Sequence, residues 1–161
     1  MEPHHHTDFS ALEKHVRELV ASNGSRDERV RAIAAEIMAA GNCRWVGMYE
    51  VTPTQVKIIG FSGPGAPAHP VFSRDRGLTG EALRANRTIM VGDVQKDPHY
   101  LTAFSTTRSE MIVPVRVDGE IVGTLDVESE RIDAFEDDDR AVLERVADAL
   151  APLFTKNKKS P

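Results

Sequence analysis

Cysteine is almost absent from this chain, since Cys43 is the only one among 161 residues. A single thiol cannot form a disulfide within one chain, and it cannot run a dithiol redox cycle there. A lone cysteine at the start of a strand is usually a small buried hydrophobe, so we do not expect Cys43 to be a nucleophile. The sequence therefore excludes a disulfide framework and offers no internal thiol pair for reduction chemistry.

Long apolar runs are also missing. No segment approaches the roughly 20 consecutive apolar residues that a transmembrane helix needs. The first ten residues are polar and rich in histidine, without the apolar centre of a signal peptide. We therefore expect a cytoplasmic protein that does not enter a membrane.

A concentrated basic stripe, which a nucleic-acid surface requires, is not present. The formal net charge is −5, and acidic and basic residues are interspersed. The one basic cluster consists of Lys156, Lys158 and Lys159, in a polar tail where such residues are ordinarily solvated. No nucleic-acid partner is expected.

Patterns for metal ions and cofactors are weak. The histidines at 4–6 lie in the polar start, and His69, Asp97 and His99 lack the spacing of ligands on one helix. The glycines do not form a phosphate-binding pattern before a helix. The sequence predicts neither a metal site nor a cofactor.

The composition fits one domain of ordinary size. Hydrophobic residues make up 40% and charged residues 28%, and a chain of this length can bury roughly 70% of its unfolded surface. There is no internal repeat, and the longest Pro/Gly-rich stretch is Ser62–Pro70. We expect a disordered start over residues 1–7, a single domain over 8–155 and a basic polar tail over 156–161.

Two segments near the start have the period of amphipathic helices, and they are predicted over residues 8–21 and 26–40. Gly41 is predicted to end the second helix in a left-handed conformation. Each helix begins at a capping box, in which a serine precedes a glutamate by three residues: Ser10 with Glu13, and Ser25 with Glu28.

A third long helix follows the acidic residues 136–139, which favour the positive end of a helix dipole. Pro152 should end this helix near Ala149, because proline lacks the backbone donor. A short helix is predicted over Gly77–Asn86, and one more helical turn within Asp97–Phe104.

Segments with period two predict strands over residues 43–51, 55–62, 88–93, 109–117 and 120–129. The Asp118-Gly119 pair between the last two is the strongest hairpin signal in the chain. The predicted order is α, α, β, β, α, β, β, β, α, which is typical of an α+β fold with antiparallel hairpins.

Alternation along the strands separates two faces. In the first strand, Trp45 and Tyr49 lie on one face and Val46 and Met48 on the other. In the fourth predicted segment, Glu110 and its neighbour Met111 lie on different faces. In the last strand we assign Ile121, Leu125 and Val127 to one face, and Thr124, Asp126 and Glu128 to the other.

If the long helices cover the aliphatic face, the opposite face collects two aromatic and three acidic residues: Trp45, Tyr49, Glu110, Asp126 and Glu128. Such a cluster can hold a cation or an amine through charge-assisted hydrogen bonds and cation–π contact. Close carboxylates should also raise one another's pKa. Periodicity alone leaves the alternative that Asp126 and Glu128 lie on a solvated outer face and that Trp45 is a core residue.

At these residues the sequence resembles the GAF domain family, and within it the free methionine-(R)-sulfoxide reductases. The segments that carry the resemblance are NCRWVGMY, DRGLTGEA, SEMIVPVRVDGEIVGTLDVES and AFEDDD, which span about residues 42–153. The resemblance implies a central antiparallel sheet of five to six strands. The N- and C-terminal helices are expected on one face, and a ligand pocket roofed by the middle loops on the other.

In the reductase subgroup, an aromatic pair in the first strand and acids in the SE and GxLDxxS segments hold the substrate. The resemblance therefore implies ligand-binding roles for Trp45, Tyr49, Glu110, Asp126 and Glu128. The positions of the subgroup's catalytic cysteines are occupied here by His69, Thr79 and the stretch 102–103. Sulfoxide reduction needs an attacking thiolate and a second thiol to resolve the intermediate. The sequence thus favours a protein that is not an enzyme.

The function that these observations predict is a stand-alone, sensor-like GAF protein that binds an amino-acid-like or cationic metabolite, as in signalling. Two alternatives remain open. One is a reductase-like enzyme that uses an external thiol, and the other is a dimerisation or interaction module with a vestigial pocket. A homodimer formed through the outer helices is compatible with each of them. Nucleotide binding is disfavoured, because three acids would repel phosphate.

Overall fold

The computed structural model describes residues 9, 11–41, 43–101 and 104–154. Its helices are α1 (Leu12–Ala21), α2 (Arg26–Gly41), α3 (Gly77–Ala85) and α4 (Asp137–Leu150). Its strands are β1 (Trp45–Val51), β2 (Gln55–Ser62), β3 (Val71–Ser73), β4 (Ile89–Val91), β5 (Ser109–Val117) and β6 (Glu120–Ser129). None of the helices in the described ranges is long and apolar enough to cross a membrane.

The six strands form one sheet in the order β3-β2-β1-β6-β5-β4. All the strand pairs are antiparallel, and the two hairpins β1–β2 and β5–β6 meet where β1 pairs with β6. This arrangement confirms the α+β class and a sheet of six strands. The carboxyl half of β6 therefore lies at the centre of the sheet, between β1 and β5.

The main core lies between one face of the sheet and the helices. Helix α2 packs on β1 and β2, α4 packs on β5, and α1 lies against both α2 and α4. Val46 and Met48 of β1 join Met111 and Val113 of β5 in this core. The predicted division of the strands into an aliphatic face under the helices and an opposite face is confirmed at these positions.

The end of α2 differs from the prediction. Ser25 caps the helix as expected, because its Oγ accepts the Glu28 N–H at 3.1 Å. Gly41, however, is the last residue of α2 and does not adopt a positive φ. A Cβ on Gly41 would come within 2.5 Å of Phe9 Cζ, so this position needs glycine for close packing. The proposed Ser10 cap of α1 lies outside the described residues.

The helical turn predicted within Asp97–Phe104 is displaced toward the amino terminus. A 3-10 helix occupies Val94–Lys96, and the Asp93 side chain accepts the Gln95 N–H at its start. Asp97 is extended, as expected for a residue that precedes proline. At the end of the chain, α4 stops at Leu150, close to the predicted Ala149, and a 3-10 turn that contains Pro152 follows.

Strand β3 was not predicted, because three residues are too few for a periodic signal.

The assignment of Ile121 to the aliphatic face is wrong. Val115 pairs with Gly123 whereas Arg116 pairs with Ile121, so Val122 is an extra residue that forms a bulge. As a result Val122 enters the core under the helices, and Ile121 packs on the opposite face.

Candidate functional site

The register of three strands brings the predicted acids together. Glu110 on β5 pairs with Glu128 on β6, and Glu128 pairs in turn with Trp45 on β1. Asp126 lies two residues before Glu128 and therefore on the same face. One carboxylate oxygen from each acid lies within 4.8 Å of the others. We call Glu110, Asp126 and Glu128 the carboxylate triad.

The carboxylate triad is buried rather than solvated. Glu110 and Asp126 are 5% exposed and Glu128 is fully buried. The Thr107 hydroxyl donates a hydrogen bond to Glu128 Oε1 at 2.8 Å. Asp126 Oδ1 and Glu128 Oε2 are buried. The alternative of a solvated outer face is therefore wrong. The three acids share hydrogen bonds with one another, and no described group outside the triad donates to these two oxygens.

Burial and mutual repulsion control the protonation of the triad. Burial raises the pKa of Glu110 and of Asp126 well above their ordinary values, and the neighbouring carboxylates raise them further. Burial also raises the pKa of Glu128, but hydrogen bonds with Thr107, Asp126 and Glu110, followed by the charge of Arg44, act in the opposite direction. The triad therefore retains protons at pH values where an exposed carboxyl is ionised, unless a cation replaces them.

An aromatic wall flanks the triad on β1. The Trp45 ring lies 6.3 Å from that of Tyr49, 6.0 Å from Phe61 and 5.4 Å from Phe104. The indole N–H donates to the Gly65 carbonyl at 3.1 Å, and the ring covers Gly47, where a Cβ would lie 2.0 Å from Trp45 Cη2. Trp45 is consequently held rigidly and is fully buried.

A small inner cavity of about 30 Å³ reaches the triad. Of the five predicted residues, Tyr49, Glu110 and Asp126 line the inner cavity, whereas Trp45 and Glu128 are fully buried and do not line it. Sequence reasoning missed Phe72, Leu101 and Tyr100 as lining residues. Phe72 lies on the unpredicted strand β3, and the other two lie within Asp97–Phe104, where the sequence predicts only a helical turn.

His69 and Thr79 also line the inner cavity, together with Glu110 and Asp126. Cys43 lies in the core under the helices, on the other side of the sheet. Burial, together with the charge of Asp139, raises the pKa of the Cys43 thiol to about 12. No thiol therefore lines the inner cavity within the described part of the chain. Residues 102–103 lie outside that part.

A second, outer cavity of about 400 Å³ adjoins the first. Its lining residues are Val94, Gln95, Asp97, Tyr100, Phe104, Ser105 and Thr107. Tyr100 lines both cavities, and Thr107 connects the outer one to Glu128 through its hydrogen bond. Burial, followed by the charge of Glu110, raises the pKa of Tyr100, so its hydroxyl remains a donor.

The fold agrees with comparisons to known proteins. Residues 25–152 match the model of the GAF domain. The chain belongs to the GAF domain family. This GAF protein is 27% identical over 143 residues to GAF domain-containing protein A of Dictyostelium discoideum, a match that covers 88% of this chain and 89% of that protein.

The GAF protein is also similar to free methionine-R-sulfoxide reductases. It is 30% identical over 111 residues to the enzyme of Saccharomyces cerevisiae, which covers 67% of this chain and 61% of that protein. The solved structure of the reductase from Neisseria meningitidis in complex with its substrate matches with a TM-score of 0.81 and 30% identity, covering 89% of this chain and 86% of that one. This GAF protein has a single cysteine, so it lacks the set of catalytic cysteines that the resemblance to the reductases implies.

Proposed function

We propose that this GAF protein binds a small cationic or amino-acid-like metabolite in a non-catalytic, sensor-like role. The observation that carries the proposal is the carboxylate triad, in which Asp126 Oδ1 and Glu128 Oε2 are buried without a donor from any described group outside the triad. A buried acceptor that lacks a donor costs free energy, and an ammonium or guanidinium group that supplied donors and positive charge would recover it.

The proposed roles follow from position. Glu110 and Asp126 line the inner cavity and would accept hydrogen bonds from the cationic group. Glu128 would add negative charge from behind, and Tyr49 would provide an aromatic surface in front of the rigid Trp45. Three carboxylates at one site would repel a phosphate, which argues against cyclic nucleotides as ligands.

The absence of a thiol from the described lining of the inner cavity supports a binding role over a reductase role. Thr79 and His69 cannot supply the two electrons that reduction of a sulfoxide requires. A reductase function would have to use an external thiol on the bound sulfoxide. Methionine sulfoxide is nevertheless an amino acid with an ammonium group, so it belongs among the ligands to be tested.

The experiment is a thermal-shift screen of the purified protein with methionine sulfoxide, free amino acids, guanidino compounds, polyamines and cyclic nucleotides. A ligand present at 100 times its Kd adds about 2.7 kcal/mol, which raises the Tm by roughly 5–10 °C. Any hit is then tested for turnover with dithiothreitol or thioredoxin. Turnover would overturn the non-catalytic role in favour of a reductase.

A matched pair of variants assigns the binding to the triad. Asp126→Asn removes one carboxylate that lines the inner cavity, whereas Glu120→Gln removes the same charge from the exposed start of the same strand. The shift should disappear in Asp126→Asn and persist in Glu120→Gln. If no compound shifts the Tm at millimolar concentration, the proposal fails and the interaction-module alternative takes its place. A homodimer through the outer helices, which we also expect, would be compatible with either result.

A further inference from the structure

The inner cavity is too small for the ligands proposed above. Its volume of about 30 Å³ leaves room for only a few water molecules. A methylammonium or guanidinium ion has several heavy atoms and needs more space. At least one wall of the inner cavity must therefore move before a ligand can contact Glu110 and Asp126.

Most walls of the inner cavity are held firmly. Glu110, Ile112 and Asp126 lie on paired strands at the centre of the sheet, and Leu78 and Thr79 are buried in α3. The free energy needed to open strand and helix positions of this kind approaches the free energy of unfolding the whole protein. The movable wall has to come from the loops.

Tyr100 is the loop residue that separates the inner from the outer cavity, because its side chain lines both. It is half-buried, and its hydroxyl interacts with the Phe104 carbonyl at 3.4 Å and with the Thr107 side chain. Rotation of this side chain would give up these two hydroxyl contacts but no hydrogen bond between backbone groups. It would join a cavity of about 30 Å³ to one of about 400 Å³.

The outer cavity offers hydrogen-bonding groups. Gln95 Oε1 accepts from Arg108 at 2.5 Å, which leaves the amide N–H groups of Gln95 as donors. The Thr107 hydroxyl donates to Glu128, so its oxygen can accept from a ligand once Tyr100 has rotated away from it. Ser105 is exposed at the rim, and Asp97 keeps one carboxylate oxygen after Oδ1 accepts the His99 N–H at 2.8 Å. These groups suit an uncharged polar chain of amide or hydroxyl character.

We propose that the outer cavity is a second subsite of the same ligand site, and that Tyr100 is the specificity-determining residue between the two subsites. This inference rests on the proposed function. The ligand is an extended metabolite whose cationic head contacts the carboxylate triad and whose polar tail lies in the outer cavity. Tyr100 then packs on the tail instead of closing the inner cavity.

The test compares probes that share a head group and differ in the tail. Methylguanidinium is paired with N-acetyl-L-argininamide, and methylammonium with N-acetyl-L-lysinamide. We expect one of these two pairs to bind. In that pair, isothermal titration should show that the longer probe binds at least about tenfold tighter than the shorter one, a difference of about 1.4 kcal/mol. Equal affinities for the long and the short probe would overturn the second subsite.

Variants at Ser105 and Tyr100 test whether the difference in affinity between the long and the short probe arises in the outer cavity. Ser105→Tyr fills the outer cavity from its exposed rim and should weaken the long probe about tenfold without changing the short one. Tyr100→Ala should strengthen the short probe, because no wall has to move, while Tyr100→Phe keeps the wall and should behave like the wild type. An unchanged affinity of the long probe in Ser105→Tyr contradicts the subsite. An unchanged affinity of the short probe in Tyr100→Ala contradicts the role of Tyr100.

The control Asp126→Asn separates failure of the subsite from failure of the proposed function. If both probes lose affinity in Asp126→Asn but neither responds to Ser105→Tyr or Tyr100→Ala, the triad binds cations and the second subsite is wrong. If no probe binds the wild type at 10 mM, about the weakest affinity worth measuring, the proposed function and the subsite fail together. Circular dichroism verifies that each variant is folded.

Chemical labelling gives an independent readout. Cys43 is buried and its thiol has a pKa of about 12, so it contributes little background. In Ser105→Cys the only accessible thiol lies at the rim of the outer cavity. A bound N-acetylated probe should slow its alkylation about tenfold, whereas the short probe should not. Equal alkylation rates with and without the saturating long probe would show that the tail does not occupy the outer cavity.

Discussion

Glu110 on β5 lies directly opposite Glu128 on β6 in the centre of the sheet. Two like charges in paired strand positions destabilise a sheet, and burial increases the cost because water cannot screen them. Most of the surrounding sheet is well packed with aliphatic residues. The pairing of these two acids is therefore a local loss of stability at the position where we propose that a cation binds, as is common at functional sites.

The first prediction concerns this repulsion. Glu110→Gln keeps the shape of the side chain and replaces a carboxyl that must either hold a proton or face the like charge of Glu128 by a permanently neutral amide. We expect the free energy of unfolding at pH 7 to rise by about 1 kcal/mol, measured by urea denaturation. The exposed control Glu120→Gln should stay within about 0.5 kcal/mol of the wild type. A loss of stability in Glu110→Gln would mean that Glu110 is stabilised by contacts other than those described.

The second prediction is the pH dependence of stability in the absence of ligand. The folded-state pKa values of Glu110, Asp126 and Glu128 are raised, so the folded protein binds more protons than the unfolded chain. Their stabilising contribution is complete below the unfolded pKa of about 4 and is lost as the pH rises through the folded pKa values. The Tm should therefore fall as the pH rises above about 5.

The matched control for this pH profile replaces all three acids by their amides. Above about pH 5 the Tm of the triple variant should be flatter than that of the wild type, because the shifted groups are gone. Parallel profiles for the two proteins would show that the triad does not retain protons.

The third prediction applies the same linkage to binding. A cation favours the ionised triad, so it has to displace the protons that the acids retain. The affinity for the cationic probe that binds should increase as the pH rises from about 6 to about 8, and binding should release protons. Titration calorimetry in two buffers with different ionisation enthalpies measures this release. Proton uptake, or an affinity that falls over this range, would contradict an ionised triad in the complex.

The fourth prediction concerns Cys43. With a pKa of about 12, about one thiol in ten thousand is ionised at pH 8, and the side chain is 9% exposed. Alkylation of the native protein by iodoacetamide should be at least about a hundredfold slower than alkylation in denaturant. Mass spectrometry of both reactions provides the measurement. Rapid labelling of the folded protein would contradict the burial of Cys43 and reopen its candidacy as a nucleophile.

The fifth prediction tests the support of the aromatic wall. A methyl group at position 47 would collide with the Trp45 ring, so Gly47→Ala should destabilise the protein by about 1–3 kcal/mol and change the tryptophan fluorescence. Gly65→Ala is the control, because a Cβ there meets no atom within 4 Å. Equal stability of the two variants would show that Trp45 can relocate without cost.

Much of the site could be read from alternation alone. Trp45, Tyr49, Glu110, Asp126 and Glu128 each follow the period of an ordinary strand, and the structure places all five on the face away from the long helices. The error at Ile121 arose where a bulge breaks the period. The sequence does not indicate this bulge, because Val122 and Ile121 are both apolar and either one could face the core.

The loops could not be read in this way. Phe104 packs on Trp45, and Tyr100 separates the two cavities. No local sequence pattern around either residue indicates these contacts. Their positions depend on contacts between residues far apart in the chain. The same reason explains why Gly41 was assigned a left-handed conformation, although its glycine serves to admit the ring of Phe9.

Local chemistry in the sequence determined the class of this protein: the helical and strand periods, the Asp118-Gly119 turn and the single cysteine follow from the residues themselves. Only the tertiary structure decided which acids face each other, which of their oxygens lack partners and how little space lies in front of them. The physical reason is that period and turn propensity act over a few residues, whereas strand register, burial and cavity volume depend on distant segments packed together.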